Sequence, residues 1–319
     1  MKLPSSISLA NIPTPLQQFN FNNCRFLIKR DDFTGLELSG NKVRKLEYLL
    51  SDAVKKKANV IYTCGGEQSN HSRATAVAAK SMGFDVKLFL WGKDKAAAEG
   101  NLFVDKFLNS RIRFLDRKEF SDVNRIMNEE KLKEEKKGKR VYIVPEGGSS
   151  PVGIWGYIRF FDELKDQQNL SRVKGILTAS GSGGTTAGLL VGAALNKLKM
   201  KIFAVNVLYG QKEIKERILS LAYQCIEDYK LPCKINEKDL EIMDGYSKEG
   251  YKNISTEKVK VIKSFANASG IIFDPAYTGK AFYAYNENFL KGKSKSDVIF
   301  VHTGGLLGVF NKRKEYLSV

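Results

Sequence analysis

The sequence predicts an α/β protein built on mostly parallel sheets. Three observations carry that expectation. Strand-like and helix-like patterns alternate through residues 59–305, the order of consecutive βα units. The strand-like runs are continuously apolar, as in sheets covered by helices on both faces. Three of these runs end in glycine-rich loops, and ligands of open α/β sheets sit beyond the carboxyl ends of strands.

The elements follow in order. LSGNKVRKLEYLL (38–50) reads as a helix start, with Lys42, Arg44 and Lys45 just behind Gly40 and Asn41. NVIYTCGG (59–66) is a short β-branched run closed by glycines. A helix over 72–83 has small apolar residues three and four apart and ends at Gly83. VKLFLWG (86–92) is strand-like and NLFVDKFL (101–108) helical. RIRFLD (111–116), a helix over 119–137 and RVYIVPEGG (140–148) repeat the alternation. VGIWGYIRFFDELK (152–165) reads as one amphipathic helix. KGILTASGSGG (174–184) is a strand running into a glycine loop, and TTAGLLVGAALNKL (185–198) a helix rich in small residues. KIFAVNVL (201–208) is a strand, and helices follow over 211–230 and 256–269. A helix over 279–290 and the strand DVIFVHTGG (297–305) close the order.

The chain has 319 residues, 43% of them hydrophobic, enough for about two domains. No run of about 18 apolar residues indicates a membrane helix. The start, MKLPSSISLANIPTP, is too polar and proline-broken for a signal peptide, so the cytoplasm is the expected location. Cys24, Cys64, Cys225 and Cys233 contain no CxxC pair, and the histidines are His71 and His302 alone. Neither a disulfide framework nor a metal site is expected. The net charge of +17 is spread over scattered lysines, and NEEKLKEEKKGKR (128–140) interleaves glutamates with them. Such a pattern is a solvated surface. It lacks the alternating aromatics of a single-strand binder, so neither nucleic acid nor membrane is an expected partner.

The glycine loops are TCGGEQSNHSR (63–73), ASGSGGTTAG (179–188) and HTGGLLG (302–308). In the middle one, Gly181, Gly183 and Gly184 let the backbone approach a ligand, while Ser182, Thr185 and Thr186 add hydroxyls. The helix that follows offers free N–H groups and its dipole to an anion. Thr186 breaks the dinucleotide pattern GxGxxG, and GxxxxGK[ST] is absent. The loop therefore suggests a phosphate but neither a dinucleotide nor ATP; a tight strand-to-helix turn is the plain alternative. In the first loop Ser69 or Asn70 suits a helix N-cap, and His71 suits either the site or the core. Thr303 suits a ring-nitrogen contact or a cap.

Taken together, GNKVRKLEYLL (40–50), GGEQSNHSRATAVAAKSMG (65–83), GSGGTTAGL (181–189), DPAYTGKAF (274–282) and VHTGGLLGVF (301–310) resemble the motifs of the D-cysteine desulfhydrase and 1-aminocyclopropane-1-carboxylate (ACC) deaminase family. These are pyridoxal-phosphate enzymes of the tryptophan-synthase-β fold type. The resemblance runs from about residue 10 to 310, in the family's order. PEGGSSPVGIWGY (145–157) resembles the family's segment bordering the substrate.

The resemblance implies fold type II: two open, twisted, mostly parallel sheets flanked by helices. It implies a larger cofactor-binding domain from residues 1–45 and 159–319, a smaller domain from 46–158, an active site in the cleft between them, and a homodimer. Pyridoxal 5'-phosphate would join covalently to Lys42. Its phosphate would sit on Gly181, Ser182, Gly183, Gly184 and Thr185, and its phenolic oxygen would meet Asn70. Ser69 would lie by the substrate's α-carbon and carboxylate, with Asn70, His71 and Trp155 also bordering the substrate. Tyr277 would pack near the ring and Tyr251 near the substrate, Tyr246 being a competing match for Tyr251. Lys45 is read as a surface or phosphate-side cation and Arg44 as structural. Glu67, where relatives carry an apolar residue, would oppose a substrate carboxylate unless it points away.

Two positions beside the pyridine nitrogen divide the family. Where ACC deaminases resemble glutamate and leucine, this chain has Thr278 and Thr303, as desulfhydrases do. A carboxylate keeps the ring nitrogen protonated and the electron sink strong. Opening a cyclopropane needs that sink, whereas expelling a thiolate leans on it less. The expected activity is thus lyase chemistry on a small amino acid, α,β-elimination from D-cysteine to pyruvate, hydrogen sulfide and ammonia, with catalysis by Lys42, Ser69, Tyr251 and Tyr277. Lys42 or Ser69 would take the α-proton. Alternatives are ACC deamination, a lyase for D-serine, β-chloroalanine or L-cysteine, and, more remotely, a basic non-enzymatic nucleic-acid-binding protein.

Overall fold

The computed structural model describes residues 3–319. A hairpin, β1 (Leu16–Phe21) and β2 (Cys24–Lys29), comes first. Asn22 and Asn23 turn it, both at positive φ (52° and 61°), the two-residue geometry that matches strand twist. Helix α1 (Lys42–Lys55) leads into β3 (Val60–Gly66), α2 (Asn70–Ser81), β4 (Asp85–Trp91), α3 (Gly100–Phe107) and β5 (Arg111–Leu115). After them come α4 (Arg117–Ser121), α5 (Val123–Glu135) and β6 (Val141–Ile143). These strands form a parallel four-stranded sheet in the order β5-β4-β3-β6.

Short helices α6 (Trp155–Ile158) and α7 (Phe160–Gln167) precede β7 (Gly175–Ser180), α8 (Gly184–Leu195), β8 (Lys201–Asn206), α9 (Gln211–Asp228) and β9 (Leu240–Met243). The chain ends with α10 (Thr256–Ser269), α11 (Thr278–Tyr285), β10 (Val298–Val301) and α12 (Arg313–Leu317). The second sheet has six strands in the order β1-β2-β10-β7-β8-β9, and its hairpin alone is antiparallel. The protein is an α/β fold-type II architecture with one parallel and one mixed sheet, flanked by helices.

Several expected elements differ from those observed. The hairpin is an addition, because its residues alternate between burial and exposure and give no continuous apolar run. Strand β9 is likewise an addition, a four-residue edge. The helix over 119–137 breaks at Asp122, and a capping box between Asp116 and Glu119 starts α4 as a separate short helix before it. The helix over 152–165 breaks at Arg159 into α6 and α7. The strand over 140–148 stops at Ile143, since Gly147 and Gly148 take positive φ (65° and 63°) in a turn.

Each sheet is buried on both faces. On the six-stranded sheet, Ile176 and Ile202 point towards α6, α7, α8 and α9. Leu177 and Phe203 point the other way, towards Phe265, Phe273 and Phe282 of the α10–α11 layer. Glycines set how close α8 comes to its neighbours. A Cβ at Gly188 would lie 2.6 Å from Tyr157 Cβ, and one at Gly192 2.6 Å from the Phe161 ring. A buried carboxylate ties the layers: Asp31 accepts from Thr14 (2.8 Å), from Arg44 Nε and Nη2 (2.9 and 2.8 Å) and from Tyr157 (2.5 Å). Arg44 is thereby structural. This packing brings the start of α1 against the carboxyl ends of β7 and β10.

Candidate active site

Lys42 is the first residue of α1, and the loop before it fixes its place. Gly40 takes φ +94°, and a Cβ there would stand 2.6 Å from Thr303 O, so only glycine allows this approach. Asn41 N donates to that carbonyl (3.1 Å). The Asn41 side chain leaves its own helix uncapped and donates instead to Thr185 Oγ1 (2.9 Å). The Lys42 amine thus enters a cavity lined by the α1 start, Asn70, residues 179–185, Tyr277, Thr303 and Gly304. Burial lowers its pKa to about 8, against the opposing pull of the Glu146 carboxylate.

One end of the cavity is a cradle of glycines and hydroxyls at the start of α8. Gly183 (φ +86°) caps α8, whose first turn, Gly184–Thr185–Thr186, has unpaired backbone N–H groups aimed outward. Ser182 Oγ lies 2.9 Å from Ser149 Oγ. Lys45 is buried, and its Nζ donates to Gly147 O (3.1 Å) and stands 2.7 Å from where a Gly184 Cβ would be. Of its two expected placements the structure chooses the cradle, not the surface. Burial and the nearby Lys42 charge push its pKa well down, a state that an incoming dianion reverses. With Thr185 Oγ1 already accepting from Asn41, its proton remains to donate.

The opposite wall carries the polar side chains. Asn70 begins α2 and its Oδ1 accepts from Asn101 Nδ2 (2.9 Å). Tyr277 lies over Gly181, where a Cβ would sit 3.0 Å from the ring. Its hydroxyl oxygen is 2.5 Å from that of Tyr251. Burial raises both phenols above their ordinary pKa, so the pair stays neutral. Beneath them Asp274 accepts from the backbone N–H groups of Ala276, Tyr277 and Thr278 (3.0, 3.0 and 2.6 Å) and from Thr278 Oγ1 (2.6 Å).

A second cavity of about 240 Å³ adjoins the first through Asn70 and Tyr277 and is lined by Tyr251, Lys95, Lys252 and Lys312 among others. Glu67 lies at this mouth, paired with Lys95 (3.0 Å) and Lys252 (3.5 Å). Its carboxylate is therefore neutralised, and the lysines depress its pKa despite burial.

The expected site residues are therefore mostly gathered, with exceptions. Lys42, Asn70, Gly181, Ser182, Gly183, Gly184, Thr185, Tyr277 and Thr303 line the first cavity; Tyr251 lines the second. Ser69 caps α2, its Oγ accepting from Ser72 N (3.1 Å), one residue before the lining Asn70. Thr278 is buried with its hydroxyl given to Asp274 and lines neither cavity. His71 is held at Thr63 (2.8 Å) below the loop, kept neutral by burial and by Lys42 and Lys45. Trp155 turns into the core, edge-on to Tyr229 at 5.2 Å, and borders neither cavity. Tyr246 pairs with Asn288 (2.8 Å) away from both. Sequence reasoning did not single out Ser149 or Asn101; their signals, a serine after PEGG and an asparagine opening a helix, are common ones.

The donor set fits pyridoxal phosphate. Backbone N–H groups, two hydroxyls and a buried lysine would hold a phosphate at one end, the Lys42 amine would face an aldehyde, and the Tyr277 ring would cover the floor. The comparisons agree. The profile of the pyridoxal-phosphate dependent enzymes matches residues 7–304. A Thermotoga maritima protein, named provisionally as an ACC deaminase, is 40% identical over 95% of this chain and 97% of its own. The mitochondrial bifunctional D-cysteine desulfhydrase/ACC deaminase of Arabidopsis thaliana is 36% identical over 99% of this chain and 82% of its own. The crystal structure of an ACC deaminase homologue superposes with a TM-score of 0.90 at 34% identity, covering 99% of this chain and 96% of that one. The chain belongs to the D-cysteine desulfhydrase and ACC deaminase family of pyridoxal-phosphate dependent enzymes.

Proposed function

We propose that this enzyme catalyses α,β-elimination on D-cysteine, giving hydrogen sulfide, ammonia and pyruvate with the uptake of one water. The observation that carries the reading is the cavity lining: among the described residues, none of those lining it is a carboxylate. A ring nitrogen left without an acid partner makes a weaker electron sink, sufficient for a thiolate leaving group but poor for opening a cyclopropane. The bound cofactor supplies that sink for the charge left at the α-carbon. Gly184, Thr185, Ser182 and Lys45 hold the phosphate, and Asn70 donates to the phenolic oxygen. Ser69 and the α2 N-terminus hold the substrate carboxylate. Lys42 takes the α-proton, because its pKa of about 8 leaves a useful neutral fraction near pH 7. Ser69 is the poorer base, since its oxygen already accepts from Ser72. In the Tyr251–Tyr277 pair one proton bridges the oxygens, so one O–H remains to donate to the departing sulfur.

ACC deamination is the second reading, favoured by the names of two relatives. Pyruvate release from D-cysteine, L-cysteine, D-serine and β-chloroalanine, with 2-oxobutyrate release from ACC measured alongside, separates the two. D-Cysteine turnover is expected to exceed the others; ACC turnover above it would overturn the assignment. Borohydride treatment is expected to bleach the yellow protein and leave the adduct on the Lys42 peptide. A Lys42→Ala protein that still forms the reducible adduct would remove Lys42 from its role.

A further inference from the structure

We infer that Asn101, which borders neither cavity, decides which end of the Asn70 amide faces the cofactor, and so acts as a positioning residue for the phenolic oxygen. The inference rests on the reading that Asn70 meets that oxygen. Arg73 is fully buried on α2. Its guanidinium can only donate, and it is held by the carbonyls of Glu37 and Ser39. Its Nε donates to Asn101 Oδ1 (3.2 Å), which fixes the Asn101 carbonyl on that side. Asn101 Nδ2 must then point the opposite way. It donates to Asn70 Oδ1 (2.9 Å) and to Gln68 O (3.0 Å), while Asn101 N donates to Gln68 Oε1 (3.0 Å).

With its carbonyl occupied, Asn70 turns its NH₂ group outward, beside Gly305, where a Cβ would stand 3.0 Å from Nδ2. The polarity therefore runs in one direction, from Arg73 through Asn101 and Asn70 into the cavity, beginning at a buried cation. A donor held in place before the ligand arrives costs no reorganisation when charge settles on the phenolic oxygen. The sequence distance between these groups hides the arrangement, because Asn101 is the second residue of α3 while Asn70 is the first of α2.

Asn101→Asp tests this, because a carboxylate keeps the shape but only accepts. It still receives Arg73, yet it now draws the Asn70 NH₂ inward and turns the Asn70 carbonyl towards the phenolic oxygen. The carboxylate loses the hydrogen bond to Gln68 O, and the new ion pair with Arg73 offsets that loss, so the melting temperature is expected to fall less in Asn101→Asp than in Asn101→Ala. Affinity for pyridoxal phosphate, titrated into apoprotein, is expected to fall at least tenfold. The visible absorbance of the bound cofactor, which requires an ionised phenolic oxygen, is expected to fall by half or more. Asn101→Ala frees the Asn70 amide to rotate and should fall between the two. If both variants bind and absorb like wild type while Asn70→Ala does not, the positioning role is overturned and the Asn70 reading stands. If Asn70→Ala also leaves both readouts unchanged, the Asn70 reading fails and takes the proposal with it. Equal losses in the Asp and Ala variants, each with a lowered melting temperature, would make Asn101 structural and overturn the proposal.

Discussion

At the residue scale the most informative group is Lys42. A free lysine titrates near 10.4 and is almost wholly charged at pH 7. Burial brings Lys42 to about 8, so roughly one amine in ten is neutral at pH 7. Only the neutral amine attacks an aldehyde. The rate at which apoprotein regains its yellow colour on adding pyridoxal phosphate should therefore climb with pH from 6 and level off above about 8. Glu146 opposes the shift, so Glu146→Gln should move the midpoint downward. Stopped-flow absorbance across pH 6 to 10 checks both; a wild-type midpoint near 10 would show that the cavity does not desolvate the amine. Lys45, three residues on, turns its amine to Gly147 O and the start of α8 instead.

At the element scale, α8 carries the cradle, and its register depends on small residues. Gly188 faces Tyr157 and Gly192 faces Phe161, each with no room for a side chain. Gly188→Val or Gly192→Val should cost about 1–3 kcal/mol, the usual range for overpacking a core, and denaturant titration measures it. The variants should also weaken cofactor affinity, because the start of α8 shifts with its packed face; unchanged stability would mean that α6 and α7 yield freely. The same scale explains the uneven legibility of the fold. Strands β3, β4, β7, β8 and β10 are buried along most of their length and announce themselves as apolar runs. The β1–β2 hairpin shows a different signal, alternation with an Asn-Asn turn, and a search for apolar runs passes over it. The helix breaks at Asp122 and Arg159 carry no side-chain cap bond and leave the apolar periodicity intact, so the sequence pattern does not mark them.

At the scale of the whole molecule, the charge of +17 has a local expression where Lys95, Lys252 and Lys312 line the second cavity, three cations against the two carboxylates they pair with, Glu67 and Glu315. An anionic cofactor approaching that cavity gains from the field, and salt screens it within about 10 Å at 0.1 M. Reconstitution of apoprotein should slow several-fold between about 50 and 500 mM salt. A Lys95→Gln, Lys252→Gln, Lys312→Gln protein should start slower and lose most of that dependence; an unchanged slope would place the attraction elsewhere on the surface. The amino-acid sequence by itself determined the βα order, the three glycine loops and, through motifs matched to a family, the cofactor; it also pointed to Lys42 and to the middle loop as the places to look for it. These are properties of short stretches, whose burial pattern and turn chemistry are written in adjacent residues. The tertiary structure alone decided that Asn41 reaches Thr185 across 144 positions, that Lys45 faces the cradle, that Thr278 is spent on Asp274, that Trp155 turns into the core and that Asn101 donates to Asn70. Each of these depends on hydrogen-bond direction or side-chain facing between elements far apart in the chain or rotated on a helix, and only the packed backbone sets those angles.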